Sequence, residues 1–155
     1  MPDGSTDDFN FQVGDWTVSH RRMVGRLVGS TTWETFPGTC SMRTVLGGHG
    51  NVEDNVIDIP SGAYRALALR SFNPATRQWA IWWLDARSPH ALDVPVIGGF
   101  ENGVGTFYAD DLFDNAGRCL RFRRDGSARI DERRHLLVAL DEQCGVDMVR
   151  LRPQQ

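Results

Sequence analysis

The sequence predicts an all-β fold in which about ten antiparallel strands close into an up-and-down barrel. Two observations carry this prediction: short segments alternate apolar and polar residues at period two, and turn sequences recur at a spacing of about eight to twelve residues. No stretch shows a helical period. A β-sandwich has similar spacing, but consecutive hairpins with short turns favour a meander, and closure removes the exposed edges that an open meander would leave.

The alternation predicts each strand in turn. The first strand spans 9–22, and a second spans 31–36, is broken or bulged at Pro37-Gly38, and continues over 39–46. Further strands are predicted at 52–59, 64–72, 78–85, 96–100, 104–112, 118–123, 135–140 and 146–152. Residues 86–94, flanked by Pro95 and interrupted by Pro89, form the longest irregular connection and are a candidate mouth or lid.

Length and charge limit the classes of protein. The chain has 155 residues, which fits one domain over 9–155 behind a flexible tail over 1–8. The formal net charge of −3 supplies no basic surface for nucleic acid or an anionic membrane. The acidic start lacks an apolar run, so we expect neither a signal peptide nor a membrane span, and a cytoplasmic location.

Cysteine and histidine usage argues against metal sites. Cys40, Cys119 and Cys144 are odd in number, widely spaced and without a C-x-x-C pair, which indicates free thiols rather than a disulfide framework. The four histidines lack metal-ligand spacing. Phosphate-loop and G-x-S-x-G motifs are also missing. The sequence therefore predicts no metal and no cofactor.

The stretch from Gln78 to Asp85 contains three of the five tryptophans. Alternation places Trp79, Ile81, Trp83 and Asp85 on one face, and Gln78, Ala80, Trp82 and Leu84 on the other. We interpret the first face as the wall of the barrel interior. The outward Trp82 and Leu84 also need cover, for which a homodimer is one hypothesis.

Several motifs resemble known proteins. Gly14-x-Trp16 at the start of the first strand resembles the signature of lipocalins and their calycin relatives, which implies an Arg from the last strand, Arg150 or Arg152, over the indole. A wider set of motifs over residues 9 to 123 is similar to a bacterial family of small proteins of unknown function with an expected calycin-like barrel. Its motifs are Phe9-Asn10-Phe11, Trp33-Glu34-x-Phe36-x-Gly38, Leu46-Gly47-Gly48-x-Gly50-Asn51, Phe72-Asn73-Pro74-Ala75-Thr76 with Trp79-x-Ile81-x-Trp83, and Gly105-Thr106-Phe107-Tyr108 with Asp110-Asp111. Residues 124–155 depart from the family pattern, in which a C-terminal hairpin carries more tryptophans.

Two side chains are candidates for proton transfer. His20 shares a face with Trp16 and Val18, and an imidazole titrates near neutral pH; the alternative is a core or rim histidine. Asp85 ends the tryptophan face, where desolvation would raise its pKa. The alternative is an Asp85 at the rim that pairs with Arg87 or caps the following loop.

The predicted ligand-binding residues are aromatic or amide-bearing: Trp16, His49, Asn51, Tyr64, Trp79 and Trp83, with Asn55 as a further hydrogen-bonding group. His49 lies in a glycine turn that would let a ligand approach closely, although a surface turn residue is the alternative. The leading hypothesis is a barrel that binds a small, largely apolar or aromatic molecule. The second is a cofactor-free isomerase, cyclase or lyase that uses His20 or Asp85.

Overall fold

The computed structural model describes residues 4–23, 32–110, 116–123, 127–134 and 144–153, and side chains are described for 4–22 and 32–109. The described strands are all antiparallel, and this part of the chain contains no α-helix, which confirms the all-β prediction. The strands are β1 (Gly14–Met23), β2 (Trp33–Val45), β3 (Gly50–Ile57), β4 (Tyr64–Asn73), β5 (Gln78–Asp85), β6 (Val96–Glu101), β7 (Val104–Asp110), β8 (Ala116–Arg123), β9 (Ser127–Arg134) and β10 (Cys144–Pro153). Two 3-10 turns occupy Asn10–Gln12 and Leu46–Gly48.

Strands β1 to β7 form a curled sheet in which each strand pairs with the next along the chain. The backbones of β8, β9 and β10 continue the antiparallel pairing, and β10 pairs with β1. Strand β9 occupies 127–134, a segment for which the sequence predicts only a turn, over 125–127. The predicted strand at 135–140 lies outside the described residues, and so does most of the segment 23–30, for which the sequence predicts a loop or a strand end. The number of strands in the whole chain therefore stays a prediction.

The predicted interruption at Pro37 is wrong, because β2 runs without a register shift past this residue against β1. Proline is tolerated here because the pairing of β2 with β3 begins only at Gly38, so no partner on that side requires the missing N–H. The Pro37 carbonyl instead accepts a hydrogen bond from the Asp58 N–H at 3.0 Å.

The inward side chains form two apolar clusters at different levels of the sheet. The first cluster comprises Phe9, Met42, Trp79, Ile81, Val96, Phe100 and Phe107. The second comprises Phe36, Ile57, Ile59 and Ala66, with Tyr64 and Trp83 packed against it. Strand β5 passes from the first cluster to the second, because Trp79 and Ile81 belong to one and Trp83 contacts the other. Strands β3 and β4 also carry buried polar residues, which are Asn51, Glu53, Asn55 and Arg70.

Residues 4–8, assigned by the sequence to a flexible tail, pack against the sheet. Gly4, Asp8 and Phe9 are buried. The Phe9 ring meets Trp79 edge to face, with ring centroids 5.0 Å apart, and meets Phe100 in the same way at 5.1 Å. The N-terminal segment 4–12 therefore covers one end of the curled sheet.

The opposite side of β5 faces outward, as the alternation predicts. Trp82 pairs in register with Leu69, and Leu84 pairs with Leu67; all four side chains are partly exposed. A homodimer that covers this face stays a prediction. Among the described residues, none belongs to a helix of the length and apolarity needed to cross a membrane.

Candidate functional site

Exposure changes along the inward face of β5. Trp79 is 1% exposed and Ile81 is also buried, whereas Trp83 and Asp85 are partly exposed although they share that face. A large aromatic side chain that points inward yet remains accessible indicates that its surroundings are incompletely filled. Within the described residues, the accessible part of the aromatic wall is thus at the Trp83 end.

Trp79 has the inward direction that the sequence predicts, but its surroundings are complete. Its indole Nε1 lies 3.2 Å from both the Asp8 carboxylate Oδ2 and the Ser5 carbonyl oxygen, and donates to them. Phe72 packs against it on β4 with ring centroids 5.4 Å apart. Trp79 is thus buried and presents no accessible surface to a ligand. Of the two tryptophans predicted to form the wall on β5, Trp83 is the accessible one.

A charged pair lies buried between β3 and β4. Arg70 donates from Nη2 to the Glu53 carboxylate and from Nη1 to Asn51 Oδ1 at 2.9 Å. The guanidinium also lies over the Phe9 ring, 4.9 Å from its centroid. Desolvation lowers the pKa of Arg70 to about 10, opposed by the nearby Cys40, so Arg70 remains protonated at neutral pH. The interior therefore holds two opposite charges that compensate each other.

His20 is buried against β2. Its ring stacks on Phe36 with centroids 5.1 Å apart and an interplanar angle of 12°. Gly38 makes room for the imidazole, because a Cβ at this position would lie 2.6 Å from His20 Nε2 and 2.6 Å from the Val56 carbonyl oxygen. His20 is therefore a buried residue of the sheet interior, and its proton-transfer role stays a prediction.

Asp85 has a different environment from the predicted desolvated site. Its Oδ2 accepts from Arg87 Nη2 at 2.6 Å, and its Oδ1 accepts from the Arg87 backbone N–H at 2.8 Å. The hydrogen bonds from Arg87 lower the pKa of Asp85, outweighing its desolvation. The predicted rise in pKa is therefore wrong, and the alternative of an Asp85–Arg87 pair that caps the following loop is confirmed.

The same end of the sheet carries guanidinium groups above aromatic rings. Arg87 lies 3.5 Å from the centroid of Tyr64. On β1, Arg22 donates from Nε to Glu34 Oε1 at 2.7 Å and lies 5.6 Å from the centroid of Phe36. Phe36 belongs to the second apolar cluster and Tyr64 packs against it, so two paired arginines border that cluster.

The predicted lid over residues 86–94 is hydrogen-bonded to the sheet. The Ala86 N–H donates to the Arg65 carbonyl, and the Asp93 N–H donates to the Trp83 carbonyl, both at 3.0 Å. An isolated bridge joins Leu84 to Leu92. Strand β6 pairs with β5 only at residues 79–81 of β5. Beyond that point, the segment 86–94 pairs with the edge of β5 instead.

The remaining predicted residues do not join one site. Trp16 donates from Nε1 to the Gln12 carbonyl at 2.8 Å, near the covered end. The Cα of Arg152 lies opposite Thr17 and that of Arg150 opposite Val18, but these arginine side chains lie outside the described ones. His49 is exposed in its turn, and Asn51 is occupied by Arg70.

Sequence reasoning missed the inward Glu53, Arg70 and Cys40. A signal for Arg70 was present, since alternation puts it on the same face as Ala66 and Ala68, which are buried. Glu53 was harder to assign, because polar residues occupy both faces of β3, with Asn51, Glu53 and Asn55 inward and Asp54 outward. A strand with this pattern does not reveal which face is the interior.

Among the described residues, no three His, Cys, Asp or Glu side chains are grouped so that they would hold a metal ion. The comparisons with protein-family models and with curated proteins found no match to this chain. The function of this chain is therefore inferred from the chemistry of its site.

Proposed function

We propose that this chain is a calycin-like barrel of about ten strands that binds a small, largely apolar or aromatic molecule in its interior. The observation that carries the proposal is the partly exposed, inward-facing Trp83 beside the sealed Trp79. The backbone pairing of β10 with β1 supports the barrel. In this proposal the ligand lies on the Trp83 side of the Glu53–Arg70 pair.

Further features favour an aromatic ligand. The rings of Trp83 and Tyr64 are only partly buried. Stacked or edge-to-face contacts between two aromatic rings add binding energy beyond that of the apolar area they bury. On β4 the inward residues at this level are Ala66 and Ala68, which contribute only a methyl group each. In this proposal His20, buried on β1, helps to orient the ligand.

The proposal is tested by fluorescence titration with N-phenyl-1-naphthylamine, a neutral aromatic probe. Trp83→Ala is expected to weaken binding at least about tenfold, because aromatic contact area dominates recognition of such probes. Trp82→Ala is the matched control, since Trp82 is adjacent in sequence but faces outward. Trp83→Phe serves if the alanine variant unfolds, and is expected to restore most of the affinity.

The proposal is contradicted if the wild-type protein does not bind the probe, or if the two alanine variants weaken binding equally. Mass spectrometry of small molecules retained by the purified protein gives the natural ligand directly.

A cofactor-free enzyme is the second candidate, and the buried imidazole of His20 favours it. Asp85 is less suited to act as an acid, since its hydrogen bonds from Arg87 favour the ionised form. Once a substrate is identified, His20→Ala is expected to abolish turnover while Asp85→Asn retains it. Unchanged turnover in His20→Ala would exclude this mechanism.

A further inference from the structure

Gln12 is a buried amide at the end of the 3-10 turn Asn10–Gln12, in the segment that covers one end of the sheet. The residue is 0% exposed. Its backbone is hydrogen-bonded, since its N–H donates to the Phe9 carbonyl at 2.9 Å and its carbonyl accepts from Trp16 Nε1 at 2.8 Å. In contrast, neither Nε2 nor Oε1 of its side chain has a hydrogen-bond partner among the described residues.

A buried amide in this state opposes folding. Both polar atoms of Gln12 lose the hydrogen bonds that they made to water in the unfolded chain, and nothing in the described part of the chain replaces them. A methionine or a leucine would fill a similar volume without this loss. A side chain that lowers stability in this way is expected at a functional site, where a bound molecule supplies the missing partners.

The side chain of Gln12 offers one donor and one acceptor. Either orientation of the amide leaves an N–H group and a carbonyl oxygen next to each other. A carboxylate on a ligand would only accept and an ammonium would only donate, so either would leave one of the two atoms without a partner. A lactam carries an N–H beside a C=O, and it therefore pairs with both atoms while remaining neutral.

An aromatic ring lies beside this amide. Trp16 shares a face of β1 with Val18 and His20, which are buried, whereas Trp16 itself is partly exposed. The hydrogen bond from its Nε1 holds the indole next to the Gln12 backbone. The apolar body of a planar molecule that pairs with Gln12 thus has an aromatic surface close by.

The strand register relates Trp16 to the accessible end of β5. Ala68, two residues from Arg70 on β4, is in line with Trp83. Ala66, the next inward residue, is in line with Trp16 through the paired residues of β3 and β2. Trp16 and Trp83 therefore lie in neighbouring rows of the register, on the same side of Arg70.

We infer that Gln12 binds the polar group of the ligand, and that this ligand is a neutral, planar molecule with an N–H beside a C=O, as in an aromatic lactam, whose ring contacts Trp16. This inference rests on the proposed function and adds the class of the ligand and the residue that recognises it. A site built around unpaired polar groups discriminates strongly against an analogue that lacks the matching group.

Two isosteric probes test this inference by calorimetric titration of the whole chain. Quinolin-2-one is an aromatic lactam, and coumarin has the same ring shape with an oxygen in place of the N–H. The wild-type protein is expected to bind quinolin-2-one at least about fivefold more tightly than coumarin. In two-dimensional NMR spectra, the indole N–H signal of Trp16 is expected to shift when quinolin-2-one is added.

Gln12→Met removes both polar atoms with little change in volume. In this variant the preference for quinolin-2-one is expected to fall to about one or below. Without ligand, the variant is expected to melt about 2–4 °C above the wild-type protein, because the unpartnered amide is gone. Gln12→Leu is a second apolar replacement with the same expectations. Asn10→Ala changes an exposed amide of the same turn and is the control, which should keep the preference and show no higher melting temperature.

The possible outcomes distinguish this inference from the proposed function. The role of Gln12 is overturned by equal affinities for the two probes, by a preference that survives in Gln12→Met, or by an unshifted Trp16 signal with quinolin-2-one bound. A melting temperature that rises in neither apolar variant also overturns it, and a buried water molecule bonded to the amide would give this result. Binding of N-phenyl-1-naphthylamine without binding of quinolin-2-one overturns the role of Gln12 and leaves the interior site standing. A failure of all three molecules to bind overturns the proposed function itself.

Discussion

At the scale of single residues, Asp85 shows how a local partner decides protonation. The sequence placed this carboxylate above an indole wall, where desolvation alone would favour the neutral acid. Arg87 follows only two residues later, and the turn between them lets its backbone N–H and its side chain both donate to Asp85. Periodicity identifies the face of a residue but not the hydrogen bonds that a turn provides.

The lowered pKa of Asp85 has a consequence for stability. A carboxylate whose pKa falls on folding stabilises the protein at pH values above its ordinary pKa of 3.8. This stabilisation is lost as the pH falls through the lower pKa of the folded state. Asp85→Asn is therefore expected to lower the free energy of unfolding at pH 7 by less than about 1 kcal/mol, because Arg87 is half-exposed.

Urea denaturation at pH 7 and at pH values below 3.8 checks this prediction, with the exposed Asp58→Asn as the control. The stability difference between wild type and Asp85→Asn should shrink on acidification. A difference that stays constant down to pH 2 would contradict the assignment.

The buried Glu53–Arg70 pair gives a second prediction. Glu53→Leu leaves an uncompensated guanidinium in the interior and is expected to cost about 3–5 kcal/mol of unfolding free energy. The double variant Glu53→Leu, Arg70→Met removes both charges and should recover a large part of that loss. A double-mutant cycle by urea denaturation measures the coupling, and strictly additive losses would mean that the two side chains do not interact.

At the scale of elements, the N-terminal segment behaves as part of the core. Phe9→Ala is expected to cost about 3–5 kcal/mol, since Phe9 is buried among Trp79, Phe100 and Phe107. Phe11→Ala is the matched control in the same segment and should cost less, because Phe11 is only partly buried. Thermal unfolding compares them. Equal melting temperatures for Phe9→Ala and wild type would show that this segment is not anchored.

The sequence predicted elements where each face has a distinct character. Strand β5 alternates aromatic and smaller residues so strongly that its bounds and its inward face are both confirmed. Prediction from the sequence failed where the structure depends on contacts between residues that are distant in the chain. Continuous pairing through Pro37 depends on where β3 ends, and the burial of Asp8 depends on the distant Trp79 indole. Glu53 and Arg70 were missed because each becomes acceptable inside only when the other is there.

At the scale of the whole molecule, the pairing of β10 with β1 gives the last strand a structural role. A chain that ends at residue 143 would lose the partner of β1 along seven register pairs from Trp16 to Arg22. An unpaired strand edge favours association with other chains. We expect this truncated chain to aggregate or unfold, whereas removal of 154–155 alone has no effect. Size-exclusion chromatography and circular dichroism distinguish these outcomes, and a monomer with unchanged stability would contradict the pairing.

The cover formed by the N-terminal segment also bears on the kinetics of binding. Under the proposed binding function, and among the described residues, Phe9 occupies that end, so we expect a ligand to enter and leave past the rim of Tyr64, Asp85 and Arg87. A change that lowers the barrier at a shared passage accelerates both directions equally. In stopped-flow measurements with N-phenyl-1-naphthylamine, Arg87→Ala is therefore expected to raise kon and koff by the same factor and leave Kd unaltered. A change in koff alone would show that Arg87 holds the bound molecule. On this view the residues of the rim set how long a ligand stays, while those of the interior set which ligand it is.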